Sequence, residues 1–340
     1  MFSHLKEATA LLTAGHPLGF DECPLATEHP HYHRAAELFA AYEPGAALVH
    51  GNDTASPIDV TESGHVLGVS GENFLYHFDR RTGLPSRLMI GGKDLLERPT
   101  ELNIWRAPTD NDRGIQVQWQ RARYDQAYTH AYSCTPYLYE DGVVIDADVV
   151  IVAPTVQPIV RAKCQWRIYG DGTLHFTLKA NKESEYPTLP RLGLRLFLAD
   201  NMEQVRYFGL GPHEAYVDKH RSCRHGEYEA TVDELFTPYL RPQENGSHAG
   251  TDFLIISSGD AELRVAGATP FSFNASRYTQ EDMTLTLHDI DLKPCGHIVL
   301  CLDAQMAGIG SASCGPDLLE QYRADGTHVN FSLVLSPSTH

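Results

Sequence analysis

Short apolar runs broken by glycine, asparagine or aspartate recur along the chain from about residue 60 onward. Runs of this length and composition are typical of β-strands, and turn pairs such as Asp141-Gly142 and Asp171-Gly172 separate several of them. Many strands at close spacing predict a mostly antiparallel all-β sandwich or barrel. The predicted strands are residues 66–69, 74–78, 143–152, 165–169, 174–179, 192–198, 253–256, 298–302 and 329–335.

Helical periodicity is weak in this sequence. It is found at residues 35–42, and in shorter form at 232–236 and 317–322. A doubly wound α/β fold needs a helix after nearly every strand, so that fold is not expected.

The first fifty residues differ from the rest. Residues 10–12 and 18–25 form two strand-like runs around a turn at Gly15. Two strands cannot bury a core, so this piece either pairs with strands outside the chain or lies against the larger domain. Gly51, Asn52 and Asp53 mark the expected boundary, which predicts a segment at 1–50 and a domain at 54–340.

Composition narrows the function class. The 340 residues carry 27 Lys and Arg against 44 Asp and Glu, a formal net charge of −17. So acidic a chain has no electrostatic attraction to nucleic acid or to an anionic membrane surface. No apolar run reaches the roughly 18 residues of a membrane span, and no signal-peptide pattern is present, so we expect a cytoplasmic protein.

Cysteine and histidine usage favours no metal site. His29, His31 and His33 alternate so that their rings would share one face of an extended chain. A polar loop is the favoured interpretation, and a physiological metal site is the alternative. The seven cysteines include no CxxC pair, so reduced and mostly buried thiols are expected at 23, 134, 164, 223, 295, 301 and 314.

Four dense polar clusters are the candidates for chemistry, since the sequence has no phosphate-binding glycine loop, HExxH or GxSxG motif. Each mixes aromatic, amide, carboxylate and arginine side chains in turn-like sequence. The mixture suits sugar recognition, in which a ring packs on the sugar and polar groups bond its hydroxyls. Composition alone favours the alternative, buried polar contacts that hold loops on a β-scaffold. The clusters span residues 105–114, 209–216, 238–246 and 271–278.

In their residue sequences and in their order along the chain, these clusters resemble those of the C-terminal domain of glycoside hydrolase family 2 β-galactosidases. That domain also occurs as the small subunit of heterodimeric β-galactosidases. The resemblance covers about residues 60–340. The run LKEATALLTAGHPLGFDECPLA resembles the last strands of the immunoglobulin-like domain that precedes it in full-length enzymes. The matching blocks are WRAPTDNDRG, GLGPHEAYVDKH, TPYLRPQENG, FSFNASRYTQED and LDAQMAGIGSASCGP.

The resemblance implies a large two-sheet antiparallel β-supersandwich of the galactose mutarotase-like kind, preceded by a partial immunoglobulin-like segment. It places the chemistry on a separate (β/α)8 barrel, where one glutamate is the nucleophile and another the acid/base. No stretch here resembles that barrel, so no catalytic residue and no metal ligand is expected in this chain. Magnesium, with sodium as a second candidate, is expected on the catalytic partner.

Two stretches are assigned to the sugar site by the resemblance. One is a mobile loop at 115–120 that begins at Gly114, where a residue without Cβ can act as a hinge. The other is the late loop with Ser313, Cys314 and Gly315, in which well-known members carry a tryptophan where this chain has Cys314. A pocket wall is the favoured role of Cys314, and a reactive thiol is the alternative. Further candidates are the polar loop residues Arg106, Asp110, Asn111, Asp112, Glu244 and Asn245.

These expectations combine into one function. The chain is interpreted as a component of a β-galactosidase that completes the sugar site of a separate large catalytic chain and is inactive alone. Its partners would be that chain and a β-galactoside, within an oligomer. The open alternatives are a remnant without function and a stand-alone carbohydrate-binding or aldose-1-epimerase-like module, with His213, Glu214 and Asp218 as candidate acid and base groups.

Overall fold

The computed structural model describes residues 2–22, 58–139, 142–312 and 314–339. Contacts divide the chain into two compact units, with the division between Arg34 and Ala35. The predicted boundary at 51–53, the predicted helix at 35–42 and the three alternating histidines lie outside the described residues. The predicted domain limits therefore stay a prediction.

The N-terminal unit contains a hairpin of β1 (Phe2–His4) and β2 (Pro17–Phe20), which pair antiparallel. The second predicted run falls partly in β2. The strand predicted at 10–12 is wrong, because these residues bend: Thr9 Oγ1 accepts the backbone N–H of Leu11 at 3.3 Å and of Leu12 at 3.1 Å. A threonine hydroxyl that satisfies nearby backbone donors competes with strand pairing.

The second unit is built from antiparallel strands, and the predicted all-β class is confirmed. Each of the predicted strands lies within an observed one. In chain order the strands are β3 (Asp59–Ser63), β4 (Val66–Ser70), β5 (Phe74–Asp79), β6 (Leu84–Ile90), β7 (Lys93–Asp94), β8 (Leu96–Asn103), β9 (Tyr128–Tyr139), β10 (Gly142–Val152), β11 (Val160–Tyr169), β12 (Leu174–Lys182), β13 (Arg191–Leu198), β14 (Gln204–Gly211), β15 (Arg224–Thr231), β16 (His248–Ser257), β17 (Ala261–Ser276), β18 (Ile298–Met306) and β19 (Val329–Thr339).

Strands β3 to β7 pair in sequence order as a five-stranded sheet. The other strands form a 12-stranded sheet with the path β15-β14-β16-β17-β19-β12-β11-β10-β9. In addition, β13 pairs with both β8 and β18, and β18 pairs with β17. The strands β8, β13 and β18 thus branch from the main path at β17.

Aromatic packing joins the five-stranded sheet to the large one. Phe78 of β5 meets Trp166 edge-on at 5.8 Å between ring centroids, and Trp166 packs on Phe176 at 4.4 Å. The buried Tyr76 hydroxyl donates to the carbonyl of Gly172 at 2.6 Å. This contact falls at the predicted turn, where Gly172 has φ +86°, a conformation that favours glycine.

Strand β17 changes partners halfway along its length. Residues 261–267 pair with β19, whereas residues 272–276 pair with β18. The exposed residues between, which include Pro270, interrupt the ladder with β16, where a proline is tolerated. The turn-like conformation predicted for 271–278 is therefore wrong over most of that cluster, which ends a buried strand.

The described residues include three short α-helices: α1 (Arg113–Arg121), α2 (Val232–Leu235) and α3 (Gln280–Leu285). Helix α2 confirms the helix predicted at 232–236. The helix predicted at 317–322 is reduced to a single 3-10 turn at Glu320–Tyr322. No helix in the described part of the chain is both long and apolar enough to span a membrane.

Helix α1 covers the stretch predicted as a mobile loop, so the loop conformation predicted for 115–120 is wrong. Tertiary contacts explain the helix: Trp119 is 2% exposed, donates from Nε1 to the carbonyl of Thr188 at 2.8 Å, and meets Trp105 edge-on at 6.3 Å. Motion of this segment remains a prediction.

The predicted state of the cysteines is confirmed for the six that the structure describes. All six are free thiols; Cys134, Cys164, Cys223 and Cys301 are buried, Cys295 is half-buried and Cys314 is exposed.

Candidate functional site

Sequence blocks that lie far apart in the chain meet at the loop after β18. This loop, residues 307–315, is called the site loop below; its residue 313 is outside the described part. Side chains from two other blocks, Arg106, Asn111 and Asp218, hydrogen bond the site loop through its backbone. These contacts fix the base of the loop at residues 307–310.

Arg106 holds the first two carbonyls of the site loop. Its guanidinium donates to the carbonyl oxygens of Ala307 at 2.7 Å and Gly308 at 3.1 Å. It also pairs with both carboxylate oxygens of Asp112, at 3.1 and 2.7 Å, and lies over the Trp119 ring. Burial lowers the pKa of Arg106, but the charges of Asp112 and Glu244 act together to raise that pKa above its ordinary value. Arg106 is therefore a permanent buried cation.

Asn111 and Asp218 hold the next two residues of the loop. The Asn111 amide donates to the carbonyl of Ile309 at 2.5 Å. The Asp218 carboxylate accepts the backbone N–H of Ile309 at 3.0 Å and of Gly310 at 2.7 Å. A Cβ on Gly308 would lie 2.5 Å from Asp218 Cγ, so this close approach requires a glycine.

A second buried ion network connects β13, β18 and the third sequence block. Arg191 pairs with both oxygens of Asp303, at 3.0 and 2.5 Å, and with Glu244 Oε2 at 3.2 Å. Glu244 Oε1 has no hydrogen-bond partner among the described residues. Burial raises the pKa of Glu244 to about 7, although the charges of Arg191 and Arg106 act to lower it. The backbone N–H of Glu244 donates to the Ala107 carbonyl at 2.9 Å, which ties this network to the first block.

Asn245 and Gly246, in the block TPYLRPQENG, connect that block to GLGPHEAYVDKH and to FSFNASRYTQED through hydrogen bonds. The Asn245 side-chain oxygen accepts the N–H of Thr237 at 2.8 Å, and its backbone carbonyl accepts the Asn274 amide at 2.5 Å. The Gly246 N–H donates to Glu214 Oε2 at 2.9 Å. Gly246 has φ +69°, and an added Cβ would lie 2.4 Å from a carbonyl oxygen.

A cavity of about 320 Å³ opens beside this buried base. Asp110, Arg113 and Gln116 line it from the first block and helix α1, and Tyr239 and Gln243 line it from the third block. The Gln243 side-chain oxygen accepts the backbone N–H of Asp110 at 3.1 Å, so the two walls are joined.

The predicted site residues fall into three groups. Buried Arg106, paired with Asp112, and Asn111 hold the site loop, whereas buried Glu244 and Asn245 belong to neighbouring polar contacts and Asp110 faces the cavity. Gly114 lies in the first turn of α1 with open space around its Cβ position, so the conformation described here does not require a glycine there. Cys314 and Gly315 are exposed, and Ser313 lies outside the described residues.

The candidate epimerase groups are occupied by local contacts. Besides Gly246, the Glu214 carboxylate contacts Lys219 and the Tyr239 hydroxyl. The Asp218 carboxylate accepts backbone N–H groups of the site loop, and His213 is exposed. This arrangement supports the loop and leaves the two carboxylates committed to other partners.

Sequence reasoning missed Arg191 and Asp303. The available signal was charge within mostly apolar strands: every residue of β13 is buried, including Arg191 and Arg195, and Asp303 is the one charged residue of β18. As for metals, the described residues contain no group of three or more His, Cys, Asp and Glu side chains placed to hold an ion.

A separate groove of about 600 Å³ crosses the outer face of β9 to β12 and β19. Tyr132, Arg161, Lys179, Asn181 and Asn330 are among the residues that line it.

The geometry defines an antiparallel all-β protein with a loop fixed by the buried Arg106–Asp112 pair and by the polar side chains of Asn111 and Asp218. A family model described as the β-galactosidase small chain matches residues 70–335, and the chain belongs to that family. The chain is 39% identical over 319 residues to a β-galactosidase of Actinobacillus pleuropneumoniae, covering 94% of this chain and 30% of that one. It is 34% identical over 277 residues to a β-galactosidase of Staphylococcus xylosus, covering 81% and 28%. The chain thus spans less than a third of the length of these curated relatives.

Matches among solved structures include a galactose 1-epimerase of Lactobacillus acidophilus, at 9% identity and a TM-score of 0.44 over 84% of this chain and 99% of that one. A galactose mutarotase-like protein of Lactobacillus casei has 10% identity and a TM-score of 0.42, over 84% and 100%.

Proposed function

We propose that this chain is the small component of a β-galactosidase, and that it completes the sugar site and the assembly of a separate catalytic (β/α)8 chain. The observation that carries the proposal is the contrast within the site loop. Residues 307–310 are fixed by Arg106, Asn111 and Asp218, whereas Cys314 and Gly315 are exposed. A loop with a rigid base and an exposed tip is suited to presenting that tip to another chain.

The chemistry of the proposed reaction supports different roles for the two chains, with the catalytic groups on one chain and the site loop on the other. Retaining glycoside hydrolysis requires two carboxyl groups roughly 5 Å apart that flank the scissile bond. The buried carboxylates Asp112 and Asp303 are paired with arginines, and Asp218 is bonded to backbone amides. Acid/base and nucleophilic groups would come from the catalytic chain, as would the ligands of its magnesium ion, while this chain positions the site loop.

The test is hydrolysis of a chromogenic β-galactoside by this chain alone and after mixing with a catalytic chain. The catalytic chain can be made from the Actinobacillus pleuropneumoniae β-galactosidase without the region that matches this chain. We expect hydrolysis in the mixture and no hydrolysis by this chain alone. Hydrolysis by this chain alone, or an inactive mixture, would contradict the proposal.

The groove on the large sheet favours a second candidate, a carbohydrate-binding module. Tyr132 offers an exposed aromatic ring, and the Asn181 and Asn330 amides offer hydrogen bonds to hydroxyl groups. Calorimetric titration of the chain with galactose and lactose tests this candidate. Millimolar or tighter binding that is lost in Asn181→Ala supports it, and absence of heat with both sugars rejects it.

A further inference from the structure

The groove of about 600 Å³ on the large sheet concentrates positive charge in an acidic chain. Its charged lining residues are three permanent cations, Arg161, Lys163 and Lys179, and one carboxylate, Asp148. Three cations against one carboxylate leave the lining with a formal charge of +2, whereas the whole chain carries −17. His328 also lines the groove, and an imidazole is a further cation when it is protonated.

The strand register places two of these cations directly opposite each other. Lys163 of β11 pairs with Lys179 of β12, and Lys179 pairs with Asn330 of β19. Residues directly opposite on antiparallel strands have Cβ atoms about 5 Å apart, and like charges in such a pair destabilise the sheet. Arg161 precedes Lys163 by two residues and so lies on the same face of β11. An anion bound between the two lysines would remove their repulsion.

Carboxylates of the chain neutralise these cations only in part. Asp148 lies 3.7 Å from Lys163, and the two side chains are 56% and 79% exposed. Glu183, which is not among the lining residues, pairs with Arg161 at 2.6 Å. Lys179 forms no ion pair with any residue in the described part of the chain. Lys179 is therefore the cation most available to a ligand.

The groove also offers groups that suit the rest of a small polar molecule. The side chain of Tyr132 is 63% exposed. The Asn181 side-chain oxygen accepts the backbone N–H of His328 at 2.7 Å, which fixes that amide, and Asn330 provides a second amide opposite Lys179. The volume falls within the range of about 300–1,000 Å³ that is typical of pockets for small organic molecules, and it exceeds what an inorganic anion fills.

We infer that the groove binds a phosphate monoester of a sugar, with the phosphate between the ammonium groups of Lys163 and Lys179. A phosphate dianion matches the +2 charge of the lining, and lysine binds phosphate as a point charge. The Tyr132 ring packs on the sugar, and the Asn181 and Asn330 amides bond its hydroxyl groups. The inference goes beyond the functions proposed above, because it involves this chain alone and requires a charged ligand.

Calorimetric titration of the chain with galactose 6-phosphate is the test, with galactose and inorganic phosphate as comparison ligands. We expect galactose 6-phosphate to bind with a Kd below about 1 mM. Lys179→Met removes one charge-assisted contact and should weaken binding about 10-fold or more, whereas Lys179→Arg keeps the charge and should stay within about 3-fold.

Lys93→Met is the matched control, because Lys93 is 43% exposed on the five-stranded sheet and lies outside the groove. Its affinity for galactose 6-phosphate should equal that of wild type. Urea denaturation checks the folding of each variant. The midpoint of Lys179→Met should be no lower than that of wild type, since the substitution removes a repulsion between opposite strands.

The comparison ligands decide what the groove recognises. Galactose that binds as tightly as galactose 6-phosphate would overturn the inference and assign the groove to neutral sugars. Failure of galactose 6-phosphate to bind, or equal affinities in wild type and Lys179→Met, would also overturn it. Inorganic phosphate that binds as tightly as galactose 6-phosphate would support the phosphate site and overturn its sugar part. None of these results depends on a catalytic chain, so the β-galactosidase proposal stands or fails separately.

Discussion

Two sets of ion pairs place the same chemical groups in opposite surroundings. In the buried network between β13 and β18, Arg191 and Asp303 approach to 2.5 Å with 0% and 1% of their side chains exposed. On the five-stranded sheet, Arg80 and Glu62 approach to 2.6 Å with 37% and 51% exposed. The distances are nearly equal, so distance does not decide what each pair does. Solvent exposure decides how much the loss of one partner costs. A buried charge that loses its partner keeps the full cost of desolvation, whereas an exposed charge returns to water.

The largest expected effect is that of Arg191→Met. Removal of the guanidinium leaves Asp303 and Glu244 buried without their shared cation, and we expect a loss of about 3–5 kcal/mol in the free energy of unfolding. Urea denaturation followed by circular dichroism measures the loss. Arg87→Met is the control, since Arg87 pairs with Asp94 at the surface of the other sheet. Equal stabilities for the two variants would remove the distinction between the regions.

A smaller effect is expected for Arg106→Lys, which keeps the charge but not the planar donor set. One ammonium group cannot bond both Asp112 oxygens and both loop carbonyls, so we expect a loss of about 2 kcal/mol. Arg113→Lys is the matched control, because Arg113 is 76% exposed and pairs with Asp110 at the surface. Chemical denaturation of both variants is the measurement. A result in which the two lysine variants are equally stable would show that the Arg106 geometry has no special role.

The dependence of stability on pH sharpens the comparison further. Burial raises the pKa of Glu244 to about 7 in the folded chain, while an unfolded glutamate titrates near pH 4.3. The folded state holds the extra proton, so this contribution is fully present below about pH 4.3 and is lost as the pH rises through about 7. Glu244→Gln should remove it, and the stability difference between wild type and variant should change by about 1–3 kcal/mol between pH 5 and 8. Parallel stability curves over that range would contradict the assignment.

The fold was largely predictable from local pattern, because alternating apolar positions and glycine turns act within a few residues. The exceptions depend on contacts that sequence spacing does not reveal. Helix α1 contains the strand-like alternation IQVQWQ, yet burial of Trp119 against Trp105 fixes it as a helix. The bend at Leu11 and Leu12 likewise follows from the side chain of Thr9.

The candidate site was predictable in its members and less so in their roles. The block containing Arg106 and Asp112 was identified from its density of polar groups, but burial decided that these two residues support a loop. Arg191 and Asp303 were missed because each lies in a mostly apolar strand and the two are separated by more than one hundred residues. A pair of buried opposite charges in two strands becomes recognisable once strand pairing is known.

The smallest expected effect is that of Glu62→Gln, which removes one partner of an exposed pair. Arg80 keeps its access to water, so we expect the free energy of unfolding to fall by less than about 1 kcal/mol. Salt provides the decisive measurement, because ions screen exposed charges over a distance of about 10 Å at 0.1 M ionic strength. The difference between wild type and variant in urea denaturation should shrink toward zero at 1 M sodium chloride. The corresponding loss in Arg191→Met should persist at the same salt concentration, since solvent ions cannot reach Asp303; a loss that vanished there would mean that the buried network is open to water.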